Sequence, residues 1–204
     1  MFKKERPRYE TTVKDEFFCF IDKFDENGKP QYEEEVYHSD DVITITPTTT
    51  APVKEIYASG KLYDSITKRK LVSIARSAIG MPKEVYDRAS GNDVQGAFTF
   101  APVFPNRVHF AYGYYAELDD GTYCMRWYPD CVLGQFDGAS TTETADMNDP
   151  NSEYTITAIP YGDNIKTEYF TGSVADGEKP LTVQQFFAQP IICKEDIPAN
   201  ADAE

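Results

Sequence analysis

The alternation of apolar and polar residues over positions 108–127 constrains the fold of this chain more than any other feature. Successive side chains of a strand point to opposite faces, so this period of two predicts half-buried strands. Asp119, Asp120 and Gly121 separate two alternating runs and predict a hairpin turn, because Gly tolerates the positive φ of primed turns. The sequence therefore predicts a long antiparallel hairpin, with core candidates Val108, Phe110, Tyr112, Tyr114, Tyr123, Met125 and Trp127.

Length and charge narrow the class of protein. A chain of 204 residues can bury a core of its own. The formal net charge is −14, from 34 acidic and 20 basic residues. This charge argues against general binding of nucleic-acid phosphates. The sequence lacks an apolar run of the roughly 18–20 residues that a membrane helix needs. The basic N-terminal residues are not followed by the apolar stretch of a signal peptide.

Several shorter segments predict further strands around the hairpin. They cover residues 12–24, 32–37, 42–46, 53–58, 61–75, 131–136, 154–158 and 166–170. Residues 25–30 predict a loop with Asn27-Gly28 at its tip, and residues 48–52 break the strand pattern. The region 137–153 is rich in Gly, Ser, Thr, Asp and Asn, which predicts another loop.

One segment changes to the period of a helix. Apolar residues between positions 81 and 89 recur at helical spacing. Pro82 suits a first helical turn, and Gly91 suits the position just past the last one. The prediction is one short α-helix of about two turns, whose face candidates are Met81, Pro82, Val85, Tyr86 and Ala89.

The two ends of the chain differ from its centre. Residues 181–189 have helix-like spacing and stop at Pro190, which predicts a C-terminal helix. The polar, acidic composition of residues 194–204 predicts disorder. The predicted organisation is a flexible arm at 1–10, a single β-rich domain at 11–193 and a disordered acidic tail at 194–204.

The sequence lacks the common catalytic motifs: a Gly-rich phosphate loop, G-x-S-x-G or H-E-x-x-H. His38 and His109 are the two histidines, and a satisfied or solvent-facing role on the sheet is predicted for His109. Neighbouring carboxylates such as Asp119 and Asp120 fall in turns, whereas general acid-base chemistry needs two carboxyls across a cleft. We therefore expect a protein that is not an enzyme.

We also expect neither a metal nor a cofactor. Cys19, Cys124, Cys131 and Cys193 form no C-x-x-C pair, and the histidines are not at ligand spacing from them. Reduced thiols are expected for all of them. Residues 146–149 contain two Asp and one Asn, but they lack the Gly and the distal Glu of an EF-hand loop.

The aromatic residues of the hairpin leave one alternative open. Tyr112, Tyr114, Tyr123, Trp127 and Tyr128 could form a platform that stacks on sugar rings. Their strict alternation favours a core instead. The alternative function is a monomeric carbohydrate-binding β-sandwich.

A series of short motifs, taken in order, resembles a known family. Residues 79–85 read IGMPKEV and are followed by Ser90-Gly91, similar to a family helix of the form LP-x-E-V…LLG. Residues 121–128 read GTYCMRWY and resemble its G-x-Y-x-x-x-W strand, and residues 154–160 read YTITAIP and resemble its T-x-x-G-x-A-x-P strand. Three further parts of the chain match motifs of this family in the family's order: the segments 42–60 and 136–144 and the pair Phe186-Phe187. Over about residues 39–191 the chain resembles the phi13-type major tail proteins of long-tailed bacteriophages.

This resemblance implies a mainly β fold: a β-sandwich or half-barrel with one short flanking α-helix. It implies hexameric rings that stack into the tail tube of a virion, assembled in the host cytoplasm, through which DNA passes during ejection without specific binding. The implied partners are further copies of the chain, a tape measure protein, a tail terminator and distal tail or baseplate proteins. Another virion or neck component of similar fold is a further alternative.

Ring-to-ring contacts in such a tube are expected from the N-terminal arm and from the loop region at 25–40, and contacts between subunits are expected through the sheet edges. The assembly-loop candidates are Asp25, Glu26, Asn27, Gly28, Glu33, Glu34 and Glu35.

Overall fold

A computed structural model describes residues 7–51, 53–58, 61–67, 70–134, 152–162, 164–174 and 178–198, with the backbone alone at 53–58 and 61–67. The protein is mainly β, with a large antiparallel sheet and few helices, which confirms the predicted fold class. The strands are β1 Glu10–Phe24, β2 Pro30–Ser39, β3 Val42–Thr50, β4 Val53–Ala58, β5 Lys61–Thr67, β6 Leu71–Ala78, β7 Asp93–Gln95, β8 Phe98–Phe100, β9 Phe110–Leu118, β10 Tyr123–Leu133, β11 Ser152–Ile159 and β12 Thr167–Phe170. The α-helices are α1 Lys83–Ser90 and α2 Val183–Phe186.

The large sheet has the order β2-β1-β9-β10-β11-β6-β3, and β12 pairs with one end of β10. Its two outermost strands, β2 and β3, are consecutive in the chain and are joined by Asp40 and Asp41 alone. A connection of two residues cannot cross a flat sheet of this width. The sheet must therefore curl until its edges meet at one corner. Contacts between β1 and β3 show this closure.

The predicted hairpin is formed by β9 and β10, which pair antiparallel through the turn at Gly121, whose φ is 79°. Its half-buried character was predicted wrongly, because both faces of these strands are covered. Phe110, Tyr112 and Tyr114 pack into a first core with α1. Met125 and Trp127 lie on the opposite face, in a second core covered by residues 181–191. Val108 is half-buried against the first core, and Tyr123 is half-buried against the second.

The helix α1 follows the predicted pattern, with Pro82 at the N-cap position. Val85 and Ala89 are buried in the first core, while Met81 and Tyr86 are half-buried against it. Gly91 ends the helix with φ 71°, and a Cβ there would collide with the carbonyl of Asn106.

Several predicted strand boundaries were wrong. The segment predicted as one strand at 61–75 contains two, β5 and β6, which belong to different sheets. Residues 48–50, predicted to break the pattern, continue β3, and Pro47 lies opposite Ile74 within it. Pro is tolerated there because β3 is an edge strand. The predicted C-terminal helix is reduced to α2, which begins with a capping box between Thr182 and Gln185.

The predicted arm and tail are both partly structured. Arg8 forms an ion pair with Asp120 at 3.0 Å, and Glu10 already belongs to β1. Residues Lys194–Asp196 form a 3₁₀ turn, held by an ion pair of 3.0 Å between Lys29 and Asp196. Disorder from residue 194 was therefore predicted wrongly. The structure does not describe residues 1–6, 135–151 and 199–204. Most of the predicted loop at 137–153 and all of residues 146–149 therefore lie outside the described residues.

Candidate functional site

The first candidate surface is the outer edge of β3, a strand at one end of the large sheet. Within the described ranges, β3 pairs with β6 alone, so its other row of backbone groups is left without a strand partner. Its sequence, VITITPTTT, contains no charged residue, and most of it is exposed. Soluble proteins usually protect such edges with charges or short strands. An exposed, uncharged edge of this length is typical of a strand that pairs with another chain.

The opposite edge of the sheet, formed by β2, is acidic. β2 contains three consecutive acids, of which Glu34 and Glu35 are exposed. Glu33 instead accepts two hydrogen bonds from the Arg88 guanidinium, one of them at 2.8 Å, and the second joins Arg88 Nη2 to Glu33 Oε1. This ion pair fastens α1 to β2. Glu33 is therefore held within the subunit by this ion pair, and its role in assembly stays a prediction.

The turn that contains the remaining assembly candidates is tight and self-contained. Asp25 Oδ1 accepts hydrogen bonds from the backbone N–H of Asn27 at 2.9 Å and of Lys29 at 2.7 Å. Gly28 has φ 77°, which this turn requires. Glu26 and Asn27 are exposed. The turn is therefore preformed, with the tip free to contact a neighbour.

A second hairpin continues from β3. The strands β4 and β5 pair with each other from Val53↔Thr67 to Ala58↔Lys61, nested inside the pairing of β3 with β6. In the part of the chain that the structure describes, their extensive backbone contacts are only with each other. The hairpin of β4 and β5 is therefore an insertion, in chain order, between β3 and β6 of the large sheet.

The side chains considered for chemistry are scattered. His109 Nδ1 lies 2.6 Å from Asp130 Oδ1, and His38 Nε2 lies 3.1 Å from Asp15 Oδ2. His38 also stacks on Phe17. These are two separate pairs. Elsewhere, the Cys193 thiol donates a hydrogen bond to Asp196 Oδ2 at 2.9 Å, and Lys29 Nζ lies 3.3 Å from its sulfur.

The cysteines are free thiols, three of them buried and Cys193 half-buried. Over the described ranges there is no cluster of three His, Cys, Asp or Glu residues that could hold a metal ion. The described helices include none with the length and apolar character needed to cross a membrane.

The aromatic platform is absent from the surface. Tyr112, Tyr114, Trp127 and Tyr128 are at most 1% exposed. Trp127 donates a hydrogen bond from Nε1 to the Phe186 carbonyl at 3.1 Å. Rings buried in this way cannot stack on a sugar, and these four residues lie in the two cores, as their alternation favoured.

Sequence reasoning did not single out two exposed surfaces of the part of the chain that the structure describes. One is the edge of β3, signalled by nine residues without charge in a chain that is 26% charged. The other is an apolar surface on β7, β8 and the loop that follows them, where Phe98 and Phe104 are 70% and 91% exposed. Its signal is the uncharged run at residues 96–106.

A scan of the sequence against protein-family models gives no match, and a search among curated proteins gives no significant match.

Proposed function

We propose that the chain is a structural subunit that self-assembles into stacked hexameric rings, forming a phage-type tail tube in a virion. The observation that carries the proposal is the exposed, unpaired and uncharged edge of β3. In a closed ring, β3 of one subunit would pair with β2 of the next. Such pairing satisfies the backbone groups of both edges and leaves no free edge.

The charges of the two edge strands are compatible with this pairing, and the net charge of the chain is compatible with a channel for DNA. The acids of β2 meet no acid on β3, so the two edges do not repel each other. A net charge of −14 disfavours binding of DNA phosphates, as expected for a tube through which DNA must slide. Contacts between rings would use the hairpin of β4 and β5 and the turn at 25–28.

The experiment is negative-stain electron microscopy of the purified chain over a range of concentrations, with light scattering alongside. Rings or hollow tubes of uniform width support the proposal. A monodisperse monomer at every concentration contradicts it.

An edge variant tests the pairing itself. Lysines at Thr46 and Thr48 in β3 (T46K with T48K) should prevent assembly, because charge on an edge strand blocks pairing with another chain. The matched control is Thr155→Lys, an exposed Thr on β11, which is paired on both sides. Loss of assembly in both variants would show a general effect of charge and would contradict the edge model.

A further inference from the structure

A lysine, a cysteine and an aspartate from two distant parts of the chain meet beside the turn at 25–30. Lys29 Nζ donates a hydrogen bond to the Cys193 sulfur at 3.3 Å and forms an ion pair with Asp196 Oδ1 at 3.0 Å. The Cys193 thiol donates to the other carboxylate oxygen of Asp196, Oδ2, at 2.9 Å. The sulfur and the amine nitrogen are therefore direct neighbours, although 164 positions separate them in the chain.

Backbone hydrogen bonds hold these three side chains in place. Asp196 Oδ2 accepts hydrogen bonds from the backbone N–H of Ile192 at 3.2 Å and of Cys193 at 3.1 Å. The backbone of Lys29 is fixed by Asp25, whose N–H donates to the Lys29 carbonyl at 2.9 Å. Groups held about 3–3.5 Å apart in a fixed arrangement are at the separation from which a bond forms most readily. The distance between Lys29 Nζ and Cys193 Sγ lies within this range.

Cys193 is also the thiol that a small oxidant can reach. It is half-buried and lines an open groove of about 370 Å³. The exposure of a thiol and its thiolate character together govern how easily it is oxidised. The hydrogen bond with Asp196 raises the pKa of Cys193, so we expect its oxidation to be slow. The other cysteines are fully buried, namely Cys19, Cys124 and Cys131.

We propose that Cys193 and Lys29 form a covalent sulfur–nitrogen cross-link, a sulfenamide, when hydrogen peroxide oxidises the thiol. The cross-link fastens the turn between β1 and β2 to the segment that follows α2. It is a modification within one subunit, so it does not depend on the self-assembly proposed above.

The reaction has two steps. In the first, Asp196 takes the thiol proton, and the Cys193 sulfur attacks one oxygen of hydrogen peroxide. The O–O bond breaks, the sulfur is oxidised to a sulfenic acid, and the leaving hydroxide takes up the proton to become water.

In the second step, the Lys29 ammonium loses a proton to Asp196, and the free amine attacks the sulfur of the sulfenic acid. The sulfur–nitrogen bond forms as the sulfur–oxygen bond breaks. The nitrogen then gives up a second proton. One of its two protons leaves with the hydroxide as a second water, and the other passes to solvent. Hydrogen peroxide is thereby reduced to two waters, and no further oxidant is needed.

The test treats the purified full chain with hydrogen peroxide, blocks the remaining thiols and digests it with a glutamate-specific protease. Cleavage after glutamates places Lys29 in fragment 27–33 and Cys193 in fragment 179–195. We expect mass spectrometry to find these fragments joined, about 2 Da lighter than their sum, and separated again by a dithiol reductant. The same treatment in guanidinium chloride should not join them, because unfolding removes the contact.

Two conservative variants identify the nitrogen. Lys29→Arg keeps a cation beside Asp196 but removes the amine, so the joined fragments should fall at least about tenfold. Its Cys193 should instead remain a sulfenic acid that dimedone traps. The matched control is Lys194→Arg, which changes the lysine next to Cys193 in the chain and should leave the joined fragments unchanged.

Three results would overturn the inference. The first is a wild type in which Cys193 stays unoxidised, and the second is one in which it becomes oxidised without joining the two fragments. The third is a cross-link that persists in Lys29→Arg or is lost in Lys194→Arg. None of these results depends on whether rings or tubes form, so the proposed function is tested separately.

Discussion

Arg76 and Glu16 form a fully buried ion pair that joins β6 to β1 across the curled sheet. Arg76 Nε donates to Glu16 Oε2 at 2.7 Å, and the Tyr112 hydroxyl donates to the same oxygen at 3.0 Å. Arg76 Nη2 also donates to the Gly80 carbonyl at 2.7 Å. These strands are distant in the order of the sheet, so the pair links its two halves at the corner where the edges meet.

Breaking this pair should be costly, while replacing both partners should not be. Glu16→Leu alone leaves a buried guanidinium uncompensated, and we expect a loss of about 3–5 kcal/mol in the free energy of unfolding. Arg76 Nη1 finds no hydrogen-bond partner among the described residues, so part of its desolvation is already uncompensated. Arg76→Met combined with Glu16→Leu should therefore recover most of the loss in urea denaturation. A double variant as unstable as Glu16→Leu would contradict this account.

Gly113 should not tolerate a side chain. It lies opposite Trp127 in the register of β9 and β10, and a Cβ would stand 2.7 Å from Trp127 Cε3 and 2.8 Å from Phe187 Cε1. We expect Gly113→Ala to lower the free energy of unfolding by about 1–3 kcal/mol through overpacking. Gly80→Ala is the control, because a Cβ there meets nothing within 4 Å. Equal stability of the two variants, measured by urea denaturation, would argue against the close packing.

Trp127 should be important for the second core. It is buried against Phe187, with ring centroids 5.3 Å apart. Trp127→Ala should cost about 3–5 kcal/mol, because it leaves a large cavity. Trp127→Phe keeps a ring but loses the hydrogen bond to Phe186, so it should cost less. A near-neutral effect of Trp127→Ala in thermal or urea unfolding would place this ring outside the core.

Acid should weaken the attachment of α1 to β2. The hydrogen bond from Arg88 lowers the pKa of Glu33 below its ordinary value of 4.5. A carboxyl with a lowered folded-state pKa contributes stability above its unfolded pKa and loses that contribution as the pH falls through the folded one. We therefore expect stability to decline below about pH 4.5, and Glu33→Gln to make this decline shallower. Denaturation midpoints between about pH 3 and pH 7 measure it, with Glu34→Gln as control. An identical decline in wild type and Glu33→Gln would rule out this contribution.

Thiol reactivity should separate Cys193 from the other cysteines. Burial raises the pKa of Cys19 to about 12 and that of Cys124 to about 11, and it also raises the pKa of Cys131. Cys193 is half-buried, and its hydrogen bond with Asp196 raises its pKa as well. A chromogenic disulfide reagent should therefore label Cys193 slowly in the folded protein and all 4 thiols after unfolding. As a control, the Cys193→Ser variant should lose the slow reaction. Rapid labelling of several thiols in the folded protein would contradict the burial of Cys19, Cys124 and Cys131.

The elements that the sequence predicted well depend on local patterns. The alternation in residues 108–127 predicted β9 and β10, and Asp120-Gly121 predicted their turn, because strand period and turn chemistry are properties of neighbouring residues. Pro82 and Gly91 marked the ends of α1 for the same reason. The mainly β fold class follows from these local signals.

The rest was decided by contacts between distant segments. The alternation of β9 and β10 could not reveal that their second face is covered by residues 181–191, nor that Glu33 is held by Arg88 from another element. The strand order likewise decided that β3 lies at an edge of the large sheet, which its uncharged sequence alone could not show. By itself, the sequence determined the hairpin of β9 and β10, its turn and α1, since these depend on backbone preferences over a few residues. The tertiary structure alone decided which faces are buried and which edges remain open, since both depend on what distant parts of the chain cover.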